Sequence, residues 1–255
     1  MLINVCKNTK LFVSCLLAFS FCLCTSSIQA QNSDDITFDD KSFKVGAIAS
    51  PNGFGFFYRH VEPYSKGNFK VLDIGLTGIR SVKEKSILNQ RVGNTTPYVY
   101  GKINRLYALR PMAGVQRTLS ERNSKNSVGI NAFAIAGPTL GFLKPIFVDV
   151  LTVDPNIPNN YISVSRRYEP FTMDPITIDG YSSFDKGIGE TKLVLGGSLK
   201  SGVEFNWGNY TSIFRSLEVG FMVDYFPSRP AIMHGIKNKV LYSSFYISFA
   251  LGEHY

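Results

Sequence analysis

The 255-residue sequence holds 27 Lys and Arg against 19 Asp and Glu, a net charge of +8, with 44 % hydrophobic and 18 % charged residues. All 4 cysteines (Cys6, Cys15, Cys22, Cys24) fall before residue 30, so the rest of the chain can form neither a disulfide framework nor a thiolate metal site. The basic residues are scattered, which excludes the concentrated cationic face that nucleic acid requires.

Residues 1–30 have the three parts of a secretory signal: Lys7 and Lys10, an apolar run from Leu11 to Cys24, then small and polar residues ending at Ala30. The apolar run is about 14 residues, short of the roughly 20 needed to span a bilayer. Cleavage is expected after Ala30, leaving a mature chain of about 225 residues with a net charge of about +6. Residues 31–41 are acidic and nearly without apolar side chains, and read as a loose leader ahead of a single domain over 42–255.

Beyond Ala30 no stretch sustains the 3.6-residue period of an amphipathic helix, and none is continuously apolar over 18 residues. Period-two alternation recurs instead. Eight strands are expected, at about 42–50, 53–62, 69–81, 98–119, 127–151, 191–208, 216–226 and 239–251. Alternation is clearest in three of them. Leu193, Leu195, Leu199, Val203, Phe205 and Trp207 share one phase, as do Leu217, Val219, Phe221, Val223 and Tyr225, and Leu241, Phe245, Ile247, Phe249 and Leu251. The fourth and fifth strands exceed one membrane crossing, and are expected to run beyond it or to bend at Pro111 and Pro138, where a ladder hydrogen bond is lost.

The connections alternate in length. Those near 63–68, 120–126 and 209–215 are short, those near 82–97, 152–190 and 227–238 are longer, and the first hairpin turns at Pro51-Asn52-Gly53. This asymmetry predicts an all-β, antiparallel, up-and-down transmembrane β-barrel of eight strands, with short turns and both termini periplasmic. A soluble exported β-protein acting as a binding module would alternate in the same way. Aromatics near expected strand ends (Tyr98, Tyr100, Phe205, Trp207, Tyr210, Tyr225, Phe226) favour the barrel, since interfacial girdles sit there. So do Asp73, Arg110, Lys200, Glu204, Glu218 and Asp224, which take the phase opposite the apolar one. Inside an eight-stranded barrel these six would meet and pair, closing the lumen.

Counting back from Tyr255, the alternation of Leu251, Phe249, Ile247 and Phe245 resembles the terminal β-signal of outer-membrane barrel proteins, with Glu253 a departure from it. The stretches Leu109-Arg110-Pro111, Gly137-Pro138-Thr139-Leu140-Gly141-Phe142-Leu143-Lys144-Pro145 and Ser244-Phe245-Tyr246-Ile247-Ser248-Phe249-Ala250-Leu251-Gly252 resemble a family of small porin-like outer-membrane β-barrels of Gram-negative bacteria. The resemblance implies a fold and a location in the cell outer membrane, and brings no catalytic residues. It also implies contact with outer-membrane lipids and lipopolysaccharide, and with the barrel-assembly machinery through the last strand.

Little else in the chain points to chemistry. His60, His234 and His254 form no metal motif, Gly187-Ile188-Gly189-Glu190 lacks P-loop spacing, and no cofactor is expected. A lipid A-modifying barrel enzyme would need His234 with Ser228 or Ser243, yet no acid lies nearby in sequence to orient the histidine. The expected function is therefore non-enzymatic: structural, surface-binding or limited permeation. A loop as long as 152–190 is functional or disordered more often than passive. Its Arg166 and Arg167 beside Tyr161, Tyr168, Phe171 and Tyr181 suggest an anion-binding rim, shared with Lys186, Lys192, Arg229, Lys237 and Lys239.

Overall fold

The structure is a computed structural model that describes residues 41–81, 83–87, 97–121, 127–153, 157, 161–208 and 213–255. The expected signal peptide and all but the last residue of the expected leader lie outside the described residues. The strands are β1 (Ser42–Ser50), β2 (Gly53–Ser65), β3 (Asn68–Ile79), β4 (Ser86–Ile87), β5 (Tyr98–Val99), β6 (Asn104–Ser120), β7 (Gly129–Pro145), β8 (Phe147–Val153), β9 (Tyr161–Arg167), β10 (Ile178–Tyr181), β11 (Lys192–Gly208), β12 (Ile213–Tyr225) and β13 (Leu241–His254). Eight of them close into an antiparallel barrel in the order β1-β13-β12-β11-β7-β6-β3-β2. Closure pairs β1 with β13, Ser42 opposite His254, so the first and last strands meet at one end of the barrel and no edge is left exposed.

The alternation read from the sequence becomes an inside and an outside. Along β13 burial and exposure alternate residue by residue from Leu241 to Glu253, and β2 and β3 do the same over most of their lengths. The outward phase is unusually bare: Phe54 is 69 % exposed, Phe56 71 %, Leu195 62 % and Phe245 74 %. Inward, Phe57, Val71, Met112, Phe133, Ile135, Met222 and Tyr246 pack as one cluster.

Two expected strands end elsewhere than the sequence suggested. The fourth, read as 98–119, starts at Asn104; Tyr98–Val99 instead pairs with Ser86–Ile87 in a separate two-stranded sheet. The fifth, read as 127–151, stops at Pro145, and Phe147–Val153 turns away to pair with β9 and β10 in a three-stranded sheet. In both cases apolar residues that could continue a barrel strand bury their side chains in a loop core instead. Tyr98, Ile146, Val148, Val150, Tyr168 and Ile178 form that core, and the described residues of the 152–190 segment fold around it.

Pro111 and Pro138 do not end or divide their strands. The β6–β7 register runs Leu109 opposite Leu140 and Ala113 opposite Ala136, which sets the two prolines face to face, and the ladder lapses across those three residue pairs. Neither proline has an N–H to give its partner's carbonyl. Gly137 allows the strands to stay close, since a Cβ there would collide with the Pro111 carbonyl. Replacing both prolines by Ala restores two ladder bonds, each worth about 1 kcal/mol and partly offset by the freer unfolded chain. The double variant should unfold at higher urea concentration and show slowed amide exchange over residues 109–113.

Candidate functional site: the charged lumen and the capped end

Two directly opposed like-charge pairs line the lumen. Lys44 faces Arg59 across β1–β2, and Glu204 faces Glu218 across β11–β12. Like charges in such positions repel, and they are compensated by reaching across the barrel. Arg59 Nη1 lies 2.6 Å from Glu218 Oε1, its Nη2 donates to Glu218 Oε2 at 3.2 Å, and its Nε donates to Asp73 Oδ2 at 2.8 Å. Lys44 pairs with Glu204 and lies 3.4 Å from Glu218. Lys200 Nζ sits 3.4 Å from Glu218 and 3.8 Å from Asp73. Phe57, Phe133 and Tyr246 offer ring faces to the same cations: Arg59 lies 4.4 Å over Phe133, and Lys200 lies 4.6 Å over Phe57 and 4.9 Å over Tyr246.

A second group lies nearer the long loops. Arg110 grips Asp224 with both Nε and Nη2, at 2.6 and 2.9 Å, and donates to Thr77; Ser198 donates to Asp224 and meets Thr139. The structure thus sets all six expected lumen residues inward, Asp73, Lys200, Glu204 and Glu218 in the first group and Arg110 with Asp224 in the second. Lys44 and Arg59 are the two that sequence reasoning missed. In β2 the apolar Phe57 points inward with Arg59, which blurs the alternation that would have placed the arginine.

With these two the interior charges balance, Lys44, Arg59, Arg110 and Lys200 against Asp73, Glu204, Glu218 and Asp224, each at most 3 % exposed.

Above the lumen the 226–240 loop folds back over the barrel mouth. Phe226 and Ile232 are fully buried with Ile79, Leu106, Ala108 and Leu143. Ile103 and Asn104 donate their backbone N–H groups to the Ile232 carbonyl. Tyr98 and Phe226, expected in an aromatic girdle, belong to these buried loop cores; Phe205, Trp207 and Tyr225 are on the barrel wall, and Tyr210 lies outside the described residues. The three-stranded sheet is tied on by phenols: Val99 N–H donates to the Tyr181 hydroxyl at 2.9 Å and Gly101 N–H to the Tyr168 hydroxyl at 3.1 Å. Burial pushes the Tyr98, Tyr168 and Tyr181 phenols up, so they stay protonated. Burial pulls the Lys102 ammonium down against the pull of Glu84, which it meets at 2.6 Å.

Arg166 and Arg167 are adjacent on β9 and so take opposite faces of its sheet. Arg167 is bonded to Glu190 at 3.3 Å, and the two arginines do not converge. The His234 ring packs edge-on against Phe171 at 4.8 Å, while Ser243 lies in the outward phase of β13. Among the described residues no group of three or more His, Cys, Asp or Glu could hold a metal ion.

No protein-family model matches the chain, and no curated protein matches it. Among solved structures it is similar to Ail, the attachment invasion locus protein of Yersinia pestis, at 11 % identity and a TM-score of 0.39, over 86 % of this chain and 100 % of that one. It is also similar to Neisserial surface protein A, at 10 % identity and a TM-score of 0.37, over 84 % and 95 %. A third likeness is to the N-terminal β-barrel domain of Pseudomonas aeruginosa OprF, at 6 % identity and a TM-score of 0.35, over 85 % and 98 %. The closed eight-stranded antiparallel barrel is read from this chain's own ladders.

Removing one carboxylate from the balanced lumen leaves Arg59, Lys44 and Lys200 short of a partner in a site that water does not reach. Glu218→Gln should destabilise the barrel by about 3–5 kcal/mol, the range for breaking a buried pair from one side. The fall in urea midpoint of the protein folded into lipid vesicles measures it.

Proposed function

We propose that the chain is a non-enzymatic outer-membrane β-barrel protein with a closed lumen, whose role is structural or surface-binding. One observation carries the reading: the outward phase of the barrel strands is free of charge except at its two ends. Towards the short turns and the end where β1 begins and β13 ends it carries Glu62, Lys70, Arg117, Arg215 and Glu253, and towards the long loops Arg105 and Lys144. On β6, Arg105 and Arg117 stand twelve residues apart, with Tyr107, Leu109, Pro111, Ala113 and Val115 between them in the same phase. Twelve residues of strand rise about 40 Å, or about 30 Å along the axis of a tilted barrel, close to the thickness of a bilayer's hydrocarbon core. A soluble protein would hold so continuous an apolar surface out of water.

On this reading residues 1–30 are a signal peptide, the short turns and both termini face the periplasm, and the long loops face outward. Outer-membrane lipids and lipopolysaccharide are the surroundings of the wall, and β13 is the strand offered to the barrel-assembly machinery. The balanced, ring-packed lumen supports a structural role over permeation. A soluble binding module does not account for the bare aromatic and aliphatic wall.

Ile74 lies opposite Pro111, midway along the uncharged band. Ile74→Arg should destabilise the vesicle-folded protein by about 2–4 kcal/mol, whereas Lys70→Ala at the band's edge should change little. An exposed position on a soluble sheet would tolerate both. The native protein should also fractionate with outer membranes, migrate differently on gels before and after boiling, and give no steady porin-sized conductance in planar bilayers. Recovery in the soluble periplasmic fraction would overturn the membrane reading, and open channels the closed lumen.

A further inference from the structure

The two outward charges at the loop end are not spread around the barrel. Arg105 on β6 and Lys144 on β7 are directly opposed in the ladder, with Cβ atoms about 5 Å apart. Among the described residues neither has a carboxylate at salt-bridge distance, unlike Lys102 and Arg110 a few residues away. Asp185 acts on Lys144 from beyond that range. Rings press on both cations from the loop side: the Arg105 guanidinium lies 4.8 Å from the Tyr181 ring and the Lys144 ammonium 4.4 Å from that of Phe184. Ser182 and Ser183 complete a shallow, open-mouthed cleft with room for about one water molecule, in which Lys144 is buried.

The placement of this cleft names its ligand. Arg105 and Lys144 lie on the outer wall, not in the lumen, one strand position above the apolar band. Tyr107 and Leu109 on β6, and Phe142 and Leu140 on β7, continue directly below them in the same phase. Phe184, stacked edge-on over Tyr107 at 6.2 Å and 59 % exposed, sits at the same level, where amphipathic interfaces carry aromatic rings. A molecule whose acyl chains lie against that band would carry its headgroup phosphate to the mouth of the cleft. Two adjacent cations, one a planar guanidinium and one a point charge, suit a phosphate group, whose charge would also relieve their mutual repulsion.

We propose that Arg105 and Lys144 form a binding site on the outer wall for the phosphate of a membrane lipid headgroup. The site rests on the membrane placement argued above, and it stands in place of the Arg166–Arg167 pair that the sequence suggested. In the test, the full mature protein is folded into uncharged detergent micelles and titrated with bisphosphorylated lipid A, with the same lipid after phosphate removal, and with inorganic phosphate. The wild type should bind the phosphorylated lipid. R105Q/K144Q should weaken that binding by roughly tenfold or more, and K70Q/R117Q at the opposite rim should not. Because removing a like-charge pair relieves repulsion, R105Q/K144Q should fold at least as well as wild type. R105E gives a second route, since the carboxylate it introduces would pair with Lys144 across the strands while deleting the anion site. Folded variants that bind phosphorylated lipid as tightly as wild type overturn the site. Equal binding of the dephosphorylated lipid overturns the phosphate, and displacement of the lipid by an equal concentration of inorganic phosphate overturns the lipid source. Failure of the wild type to insert into micelles or vesicles at all overturns the membrane reading beneath it.

Discussion

The structure turns on two like-charge pairs, each unfavourable in its own hairpin and matched across the lumen once the ring closes. Hairpin β1–β2 sets Lys44 against Arg59, and hairpin β11–β12 sets Glu204 against Glu218. Each pair repels within its own two strands. Arg59 on β2 reaches Glu218 on β12 at 2.6 Å across the lumen, with β1 and β13 lying between their strands in the ring. Buried ion pairs add little net stability over well-packed apolar residues. Their contribution here is selective: an open sheet, or a ring closed with the wrong strand order, loses the Lys44–Glu204 and Arg59–Glu218 pairs that offset the two repulsions.

Most of the barrel was legible because the two environments of its wall differ so sharply. Where one face meets apolar surroundings and the other a polar lumen, side-chain chemistry alternates with the pleat, as from Leu241 to Leu251. The limits of legibility follow from the same physics. Tyr98, Ile146, Val148 and Val150 are apolar for a different reason, burial in a loop core, and nothing in their local pattern distinguishes that from an outward-facing wall. Lys44 and Arg59 were hidden because β1 and β2 mix small, aromatic and charged residues on the inward face.

The cleft on the outer wall was less legible still. Arg166 and Arg167 attract notice by adjacency, but adjacent residues on a strand part to opposite faces. Arg105 and Lys144 are nearly forty residues apart in sequence and become neighbours only through the β6–β7 register. A binding pair on a sheet is assembled by pairing, so one chain's linear order conceals it.

That same β6–β7 interface holds the paired prolines, with hydrogen bonding interrupted halfway down the wall directly below the Arg105–Lys144 cleft. A cylinder whose staves are bonded along most of their length but not across one short line at mid-wall does not deform evenly. In the bilayer proposed for it, whenever thinning or thickening makes the staves change their slant, the shear concentrates where the fewest bonds oppose it. The interior opposite this line is braced by Arg110 clasping Asp224, so the compliance is directed outward and the barrel can yield in its skin while its filling keeps its shape.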